Sequence, residues 1–235
     1  KVGTEYIKTH QGLKTNYHYV LWYEDDRTIL IKHEEYHYEL PDIGEPKWVY
    51  LSSLGGNSAS WHQELGNYFL RYPSIKLAFQ PGTFQIKLGK EALQGIYKRS
   101  TVVLVNKEEA QRILGTDEGE PKKLLEMMHG LGPEITVITD GVRGAYASDG
   151  REAWYMPPYP DPKPPLERTG AGDAFSSTFV VCLVQGKSVS EALKRAPINS
   201  MSVVQYVGAR EGLLTAAQLE DYLKTAPPEY KPQSI

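Results

Sequence analysis

Short apolar runs alternate with longer amphipathic stretches through most of the chain after residue 47. The apolar runs are rich in β-branched residues and end at polar or glycine-containing turns, which is typical of buried strands. Strands are predicted at 48–55, 75–82, 101–106 and 135–141. Helices are predicted at 58–72, 90–98, 107–115, 122–129, 171–186, 189–206 and 215–225. This alternation predicts an α/β fold, with a mostly parallel sheet covered by helices on both faces.

The segment 17–38, YHYVLWYEDDRTILIKHEEYHY, does not follow that rhythm. Two runs of strand-forming residues flank the polar stretch Glu24-Asp25-Asp26, which predicts a hairpin. A second pair of short strands is predicted in GAYASDG and EAWYMPPY, at 144–150 and 152–159. We therefore expect an α/β domain formed by 1–14 and 40–226, a β-hairpin lid at 15–39, and a loose C-terminal tail at 227–235.

Side chains alternate between the two faces of a strand, so the first strand of the hairpin presents two sets of residues. The sets are Tyr17, Tyr19, Leu21 and Tyr23 on one face, and His18, Val20 and Trp22 on the other. Both sets are large and partly apolar, so we expect both faces to be covered. An uncovered two-stranded unit would be marginally stable and would leave open edges.

Composition narrows the range of partners. The chain has 235 residues, carries a net charge of −3 and is 23% charged. That balance gives no reason to expect nucleic acid or an acidic membrane as a partner. Cys182 is the single cysteine and lies inside an apolar run, so an internal disulfide cannot form and we expect a buried, inert thiol. One cysteine fits a reducing compartment, and we expect a cytoplasmic protein.

The stretch RTGAGDAF, at 168–175, is the strongest candidate for chemistry. Gly170, Ala171 and Gly172 give an open backbone at the start of an apolar helix, where unpaired N–H groups and the helix dipole favour an anion such as phosphate. Asp173 would repel that anion, unless it serves as a general base that takes a proton from an attacking hydroxyl. A structural reading is equally open: Asp173 caps the helix, and the glycines form a tight turn.

The same stretch carries a family resemblance. TGAGDAF, at 169–175, resembles the second signature of the ribokinase-like (PfkB-type) carbohydrate kinases, in which the Asp is the catalytic base and the preceding amides form an anion hole. Three further segments match in the family's order. They are Asn106-Lys107-Glu108-Glu109, similar to N-x-x-E; Thr139-Asp140-Gly141-x-x-Gly144, similar to T-x-G-x-x-G; and ALKRAPINSMSVVQYVGA, at 192–209.

The resemblance implies how these residues act. Asp173 would be the base, and the amides of Gly170, Ala171 and Gly172 would hold the transferring phosphoryl group. The residues expected to contact ATP are Asn106, Glu109, Thr139, Gly141, Gly144, Asn199 and Gly208. Within that set, the 139–144 turn would lie along the phosphates, and Asn199 would face the adenine. Alone, the turn also fits a simple strand-to-strand loop.

Mg²⁺ is the second cofactor that the resemblance implies. Asn106 and Glu109 would hold it, through water, from the first turn of a helix, which suits an ion that prefers oxygen ligands and keeps its waters. The same two residues also fit a helix capping box, which is an Asn followed three residues later by a Glu. The sequence leaves both readings open, and they are compatible.

Four features differ from the family's usual pattern. Glu167, six residues before Asp173, stands where Asp is more frequent. In the family that position contributes to a monovalent-cation site, so Glu167 is the candidate ligand for K⁺. Arg168 stands where a small hydroxyl residue is commoner, and Gln80 stands where Asn or Asp is frequent. The family's N-terminal strand–helix–strand segment, which carries sugar-binding residues, has no counterpart here; we expect either a fragment or a protein that has lost half of its acceptor site.

The resemblance therefore implies an ATP-dependent kinase that moves the γ-phosphate to a hydroxyl of a sugar or sugar-like molecule. One alternative is a nucleoside kinase, since an aromatic lid would stack on a base as readily as on a sugar. Another is a non-catalytic binding module on the same fold. We also expect a homodimer in which the lids pack together, with one hairpin face over the active site and the other, carrying Trp22, against the partner. The identity of the acceptor is left open.

Overall fold

The computed structural model describes residues 3–23 and 26–235, and it describes only the backbone at 22, 23, 26 and 27. In this part of the chain, nine strands form two sheets. Their bounds are β1 Tyr17–Tyr23, β2 Asp26–Lys32, β3 Trp48–Leu51, β4 Lys76–Phe79, β5 Ser100–Asn106, β6 Ile135–Thr139, β7 Ala145–Ser148, β8 Ala153–Met156 and β9 Gln233–Ser234. β1 and β2 make an antiparallel hairpin, and the other seven strands make one sheet.

The larger sheet follows chain order, from β3 at one edge to β9 at the other. β3 to β6 run parallel, and β7, β8 and β9 each add in the antiparallel sense. The predicted α/β class with a mostly parallel sheet is confirmed. Because parallel strands point the same way, the residues that end β4, β5 and β6 meet at one edge of the sheet.

Helices cover both faces of this sheet. Within the described residues they are α1 Ala59–Arg71, α2 Thr83–Leu88, α3 Gln94–Arg99, α4 Lys107–Leu114, α5 Pro121–His129, α6 Ala171–Val184, α7 Val189–Val203 and α8 Ala216–Lys224. α1, α3, α4 and α5 bury side chains in one core cluster, whereas α6, α7 and α8 bury theirs in another. None of the described helices combines the length and the apolar character needed to cross a membrane.

Strand β5 shows how the two clusters share one sheet. Val102 and Leu104 belong to the cluster under α6 and α7, whereas Val103 and Val105 belong to the cluster under α1, α4 and α5. All four side chains are buried. A strand that is covered on both faces reads as a continuous apolar run, which is why TVVLV carries no alternation.

Several bounds differ from prediction; the strand predicted at 48–55 ends at Leu51, and the helix predicted at 171–186 ends at Val184. The strand predicted at 75–82 ends at Phe79, and after a Pro-Gly turn the short helix α2 begins at Thr83, which the pattern missed. Six residues are too few to show a helical period, and the Gln85 side chain stabilises the helix start by accepting the N–H of Gly82. The helix predicted at 90–98 begins only at Gln94, and the one predicted at 189–206 ends at Val203.

The C-terminal tail is ordered, so the prediction of a loose segment at 227–235 is wrong. Strand β9 pairs with β8, with Gln233 opposite Tyr155. Tyr230 is 3% exposed, and its hydroxyl donates to the Lys194 carbonyl at 2.7 Å. Its ring also meets the ring of Tyr159 edge to face, at 4.8 Å between centroids. A buried aromatic ring anchors this segment, although chain ends are commonly loose.

The predicted hairpin forms. Its register places Tyr17 opposite Lys32 and Val20 opposite Ile29. Two of the three residues of the predicted turn, Glu24 and Asp25, lie outside the described residues. The division of the chain at residues 15 and 40 and the role of the hairpin as a lid stay predictions.

Removing the Tyr230 ring should destabilise the fold. Tyr230→Ala is expected to lower the free energy of unfolding by about 3–5 kcal/mol, because it leaves a cavity and deletes a buried hydrogen bond. Urea denaturation measures the loss. Lys231→Ala, at the exposed neighbouring residue, is the control and should change stability by less than about 0.5 kcal/mol. Equal stability of the two variants would show that the tail contributes nothing to the core.

Candidate active site

Three neighbouring strands end in polar residues at one edge of the sheet. Gln80 follows β4, Asn106 ends β5, and Thr139 ends β6 directly beside Asn106 in the parallel register. The N-terminus of α6, with Gly172 and Asp173, faces the same edge, because all five residues line one cavity. The structure thus brings together segments that are far apart in sequence.

Two cavities adjoin at this edge. One, of about 480 Å³, is lined by the sheet edge, by the start of α6 and by the hairpin residues His18, Val20 and Ile29. The other, of about 200 Å³, lies between the 139–145 turn, the 158–168 loop, α6 and α7. Thr139, Arg168 and Gly172 line both cavities, so the first turn of α6 stands at the junction.

The start of α6 requires glycine at position 170. Gly170 has φ of 83°, and a Cβ there would lie 2.7 Å from the Cα of Ala209. The predicted anion hole needs one correction: the N–H of Ala171 donates to the Arg168 carbonyl at 3.3 Å and closes a turn. Gly172 and Asp173 are the next residues of the helix, where N–H groups have no acceptor within the helix. Of the three predicted amides, that of Ala171 is therefore engaged within the protein, and anion binding by Gly170 and Gly172 stays a prediction.

The carboxylate of Asp173 lies in the larger cavity, on the first turn of α6. Its Oδ1 accepts a hydrogen bond from Nε2 of Gln80 at 2.9 Å. Oε1 of the same amide accepts from the hydroxyl of Tyr50 on β3. Burial, followed by the negative charge of Asp173, raises the pKa of Tyr50 to about 12, against a smaller opposing effect of a hydrogen bond with Ser176. The phenol is therefore protonated at neutral pH and serves as a donor.

Asn106 and Glu109 form the capping box that the sequence allowed. Oδ1 of Asn106 accepts the N–H of Glu109, and Oε2 of Glu109 accepts the N–H of Asn106, each at 2.8 Å. Both side chains also line the larger cavity with Asp173. Burial raises the pKa of Glu109; the N–H of Asn106 and the charge of Arg112 oppose this, and the Asp173 carboxylate adds to it. The cap engages one carboxylate oxygen, Oε2, and a carboxylate carries a second.

The 139–144 turn is held by a residue that the sequence reasoning did not single out. Asp140 is buried, and both of its carboxylate oxygens accept from the guanidinium of Arg143, at 2.6 and 2.8 Å. These bonds lower the pKa of Asp140 despite its burial, and Lys107, at 3.7 Å, adds to the effect. Gly144 is required here, since a Cβ would lie 2.3 Å from the Met156 carbonyl. Thr139, Gly141 and Gly144 all line the smaller cavity, where the sequence placed the nucleotide phosphates.

Two predicted nucleotide contacts have other partners. Asn199 is buried: its Nδ2 donates to Thr178 at 2.8 Å, and its Oδ1 accepts the N–H of Leu214 at 2.9 Å. The N–H of Gly208 donates to Oε1 of Glu167 at 2.6 Å. The amide of Asn199 thus joins protein segments, Asn199 is not among the residues that line the smaller cavity, and its contact with adenine stays a prediction. A K⁺ ion at Glu167 stays a prediction.

Other residues of α7 line the smaller cavity instead. They are Pro197, Ser200 and Met201, joined by Val204 directly after the helix. With Phe175, the side chains of Pro197, Met201 and Val204 give the cavity apolar surface, and Gly141 and Gly144 line the same cavity. In the sequence, these cavity-lining residues are marked only by the apolar spacing of the 192–209 segment. The prediction chose the polar Asn199 in that segment and not its apolar neighbours.

The hairpin face that lines the site is the one opposite to that predicted. His18, Val20 and Ile29 line the larger cavity, so the face that was assigned to a partner chain faces the site. On the opposite face, Tyr19 is 61% exposed and Leu21 is 55% exposed. The side chain of Trp22, which was placed in the interface, lies outside the described residues.

Comparison with known proteins agrees with this geometry. The sequence pattern of the "pfkB family carbohydrate kinase" group matches residues 1–216. The chain belongs to the PfkB family. Family membership confirms the resemblance found in the 169–175 signature and accounts for the three further motifs that gather at the sheet edge.

Similar proteins of known name act on different small molecules. The chain is 31% identical over 123 residues to an ATP-dependent 6-phosphofructokinase of Thermoanaerobacterium thermosaccharolyticum, which covers 52% of this chain and 36% of that protein. It superposes with a TM-score of 0.71 on ribokinase from Cryptococcus neoformans in complex with ADP, at 22% identity, over 94% of this chain and 75% of that one. A nucleoside kinase of Methanocaldococcus jannaschii gives a TM-score of 0.70 at 16% identity, over 90% and 69% of the two chains. The chain thus spans about a third of the length of the 6-phosphofructokinase that it matches.

Proposed function

We propose that this PfkB-family protein is a kinase that transfers the γ-phosphate of ATP to a hydroxyl of a sugar or sugar-like molecule. One observation carries the proposal. Two cavities meet at the first turn of α6, and a carboxylate, Asp173, lies on one side of the junction. Phosphoryl transfer needs a donor and an acceptor in line across a site that stabilises negative charge. The two cavities offer one place for each substrate, and the first turn of α6 lies between them.

The smaller cavity is the proposed nucleotide site. Its apolar wall, with Pro197, Met201 and Val204, suits the faces of a purine. Gly141 and Gly144 line the same cavity and offer backbone without side chains, which suits close approach of phosphates. The γ-phosphate would then reach Gly172 at the junction, where the first-turn amides and the dipole of α6 stabilise negative charge.

The larger cavity is the proposed acceptor site. An acceptor hydroxyl beside Asp173 loses its proton to the carboxylate as its oxygen bonds to the γ-phosphorus. The bond from that phosphorus to the bridging oxygen breaks at the same time, and the electron pair leaves with ADP. The products are a phosphate ester, ADP and the proton on Asp173, which is later released to water. Amides of Gly172 and Asp173 donate to the charge that builds on the phosphoryl oxygens.

Glu109 and Asn106 are the proposed Mg²⁺ residues. They fit that ion because both residues line the larger cavity and carry side-chain oxygens, and because the cap engages only one oxygen of the Glu109 carboxylate. Mg²⁺ commonly binds through one or two protein oxygens, with waters and phosphate oxygens filling the other positions. When bound, it supplies positive charge to the phosphates. The raised pKa of Glu109 would fall beside a cation, so the residue would be fully charged in the loaded enzyme.

A nucleoside acceptor is the second candidate. The hairpin side of the acceptor cavity carries Val20 and Ile29 beside His18, and this mixture of apolar and aromatic surface would pack on a base. The nucleoside kinase among the similar structures makes the same chemistry plausible on this fold. A panel that contains both sugars and nucleosides therefore tests both acceptors in one experiment.

We also propose that two chains dimerise through their hairpins. The face turned away from the cavity carries Tyr17, Tyr19, Leu21 and Leu30, all exposed. A two-stranded sheet with an open apolar face is marginally stable alone, and a second copy would bury that face and the hairpin edges together. Closure of the hairpin over the acceptor would then exclude water, which competes with the acceptor for the phosphoryl group.

Asp173→Asn tests the base. It is expected to lower kcat by about 10²–10⁴-fold with little effect on nucleotide affinity, because the amide cannot take the proton. Phosphate transfer from labelled ATP with Mg²⁺ to a panel of sugars and nucleosides measures the rate, and Asp221→Asn, at an exposed residue of α8, is the control. Near-parental turnover in Asp173→Asn would overturn the base. A parent that binds ATP but phosphorylates nothing in the panel would favour the non-catalytic binding module.

Glu109→Gln separates the metal role from the cap. Gln can keep the capping hydrogen bond, so the fold should lose less than about 1 kcal/mol. The Mg²⁺ concentration for half-maximal rate is expected to rise about tenfold or more, because the carboxylate charge is gone. A Mg²⁺ titration measures it, and Glu108→Gln, on the exposed side of the same helix, is the matched control. If the Mg²⁺ titration of Glu109→Gln matched that of the parent, Glu109 would have only its capping role.

Tyr19→Glu tests the dimer. A charge on the outward face should shift the protein from dimer to monomer at micromolar concentration, as light scattering would show, because the carboxylate would be buried against the partner. Tyr19→Phe keeps the apolar ring and should stay dimeric. A parent protein that is already monomeric at that concentration rules out the interface.

A further inference from the structure

We infer that Gln80 and Tyr50 form a positioning chain that fixes the orientation of the Asp173 carboxylate. The inference rests on the proposed role of Asp173 as the base. Neither Gln80 nor Tyr50 needs to touch the acceptor in this assignment; each acts through its hydrogen bond, Tyr50 on Gln80 and Gln80 on Asp173.

The chain crosses three elements of the fold. Tyr50 lies on β3, Gln80 follows β4, and Asp173 lies on α6. The Tyr50 hydroxyl donates to Oε1 of Gln80, and Nε2 of Gln80 donates to Oδ1 of Asp173 at 2.9 Å. The strand pairing fixes the first two residues relative to each other, since the backbone N–H of Gln80 donates to the Leu51 carbonyl at 2.9 Å.

The three hydrogen-bonding groups can be joined in only one donor–acceptor order. A carboxamide has a donor end and an acceptor end, and only its NH₂ group can bond a charged carboxylate favourably. A donor at Oε1 prevents the amide from turning its oxygen towards Asp173. Tyr50 is that donor, because it stays protonated at neutral pH. The phenol therefore selects the amide orientation that supports the carboxylate.

The carboxylate needs such support because it is exposed and lies near a like charge. Asp173 is exposed in the larger cavity, and rotation about its last side-chain bond is weakly restricted. The Glu109 carboxylate faces the same cavity, and the two charges repel. A hydrogen bond to Oδ1 fixes the plane of the group, so that Oδ2 is presented to one direction. Small errors in the placement of a base have large effects on rate.

A double-mutant cycle tests the chain kinetically. Gln80→Leu is expected to lower kcat by about 10–100-fold and Tyr50→Phe by about 3–10-fold, with the KM for ATP unchanged. In the Gln80→Leu background, Tyr50→Phe should have no further effect, because Tyr50 acts only through the amide. The assay uses the full chain, Mg²⁺, ATP and the panel member that the parent phosphorylates fastest. Tyr230→Phe, which removes a hydrogen-bonded phenol hydroxyl in the core, is the matched control and should leave kcat unchanged.

If the two substitutions lowered kcat additively, the proposed positioning role would be wrong, since Tyr50 would then support the fold or the acceptor independently of Gln80. A rise in the KM for ATP in place of a fall in kcat would overturn it as well. Circular dichroism and thermal unfolding identify any variant that fails to fold, and Tyr50→Phe, which deletes one oxygen, then carries the test.

A second measurement does not depend on catalysis. The side-chain NH₂ resonances of Gln80, assigned by their loss in Gln80→Leu, should shift in both Asp173→Asn and Tyr50→Phe but not in Tyr230→Phe. Resonances that stay in place in the first two variants would overturn the chain even in an active enzyme. If the resonances shift in a protein that transfers no phosphate, the hydrogen-bonded arrangement of Tyr50, Gln80 and Asp173 is supported, and only the proposed kinase function is contradicted.

Discussion

The site depends on one close approach, between Gly170 and Ala209. A side chain at 170 would overlap the backbone of the loop that follows α7, so only glycine lets α6 begin at this point. Hydrogen bonds fix the same junction, including one from the Ser200 hydroxyl to the Ala171 carbonyl at 3.0 Å. The first turn of α6 is thereby held between two cavities and cannot slide towards either. A helix N-terminus attracts anions over a short range only, so its placement decides where charge is stabilised.

The sequence predicts the fold and the meeting of its motifs, since parallel strands place their final residues at one edge. It does not predict which side chains there are available to a ligand. Asn199 is a polar residue in the expected segment, yet both ends of its amide bind Thr178 and Leu214. Such partners come from distant segments, and no local pattern reveals them. The same reason hides the Asp173 contact of Gln80, whose sequence signal was only its departure from the usual residue.

Alternation gives the two faces of the hairpin but not their directions. A strand with large residues on both faces has no polar side to mark the solvent. The register therefore does not determine which face of the hairpin lies against the domain. The structure determines it through His33, which stacks on His18 at 5.1 Å and also meets Phe84 of α2. Those contacts tie the His18 end of its face to the domain, whereas side chains farther along both faces, such as Ile29 and Leu21, are exposed. The unpredicted helix α2 is therefore part of what orients the hairpin.

Carboxylates are tolerated beside the proposed phosphate site because each acidic group has its own donors. Glu109 receives a backbone N–H from Asn106, and Asp173 receives the amide of Gln80. Asp140 is further neutralised by the Arg143 guanidinium, so it adds little negative potential to the phosphate side. Repulsion between carboxylates and phosphates falls steeply when fixed dipoles and cations lie nearby. Of the three carboxylates, Asp173 is the one on the first turn of α6, beside the junction of the two cavities, so it is the proposed acceptor of the proton.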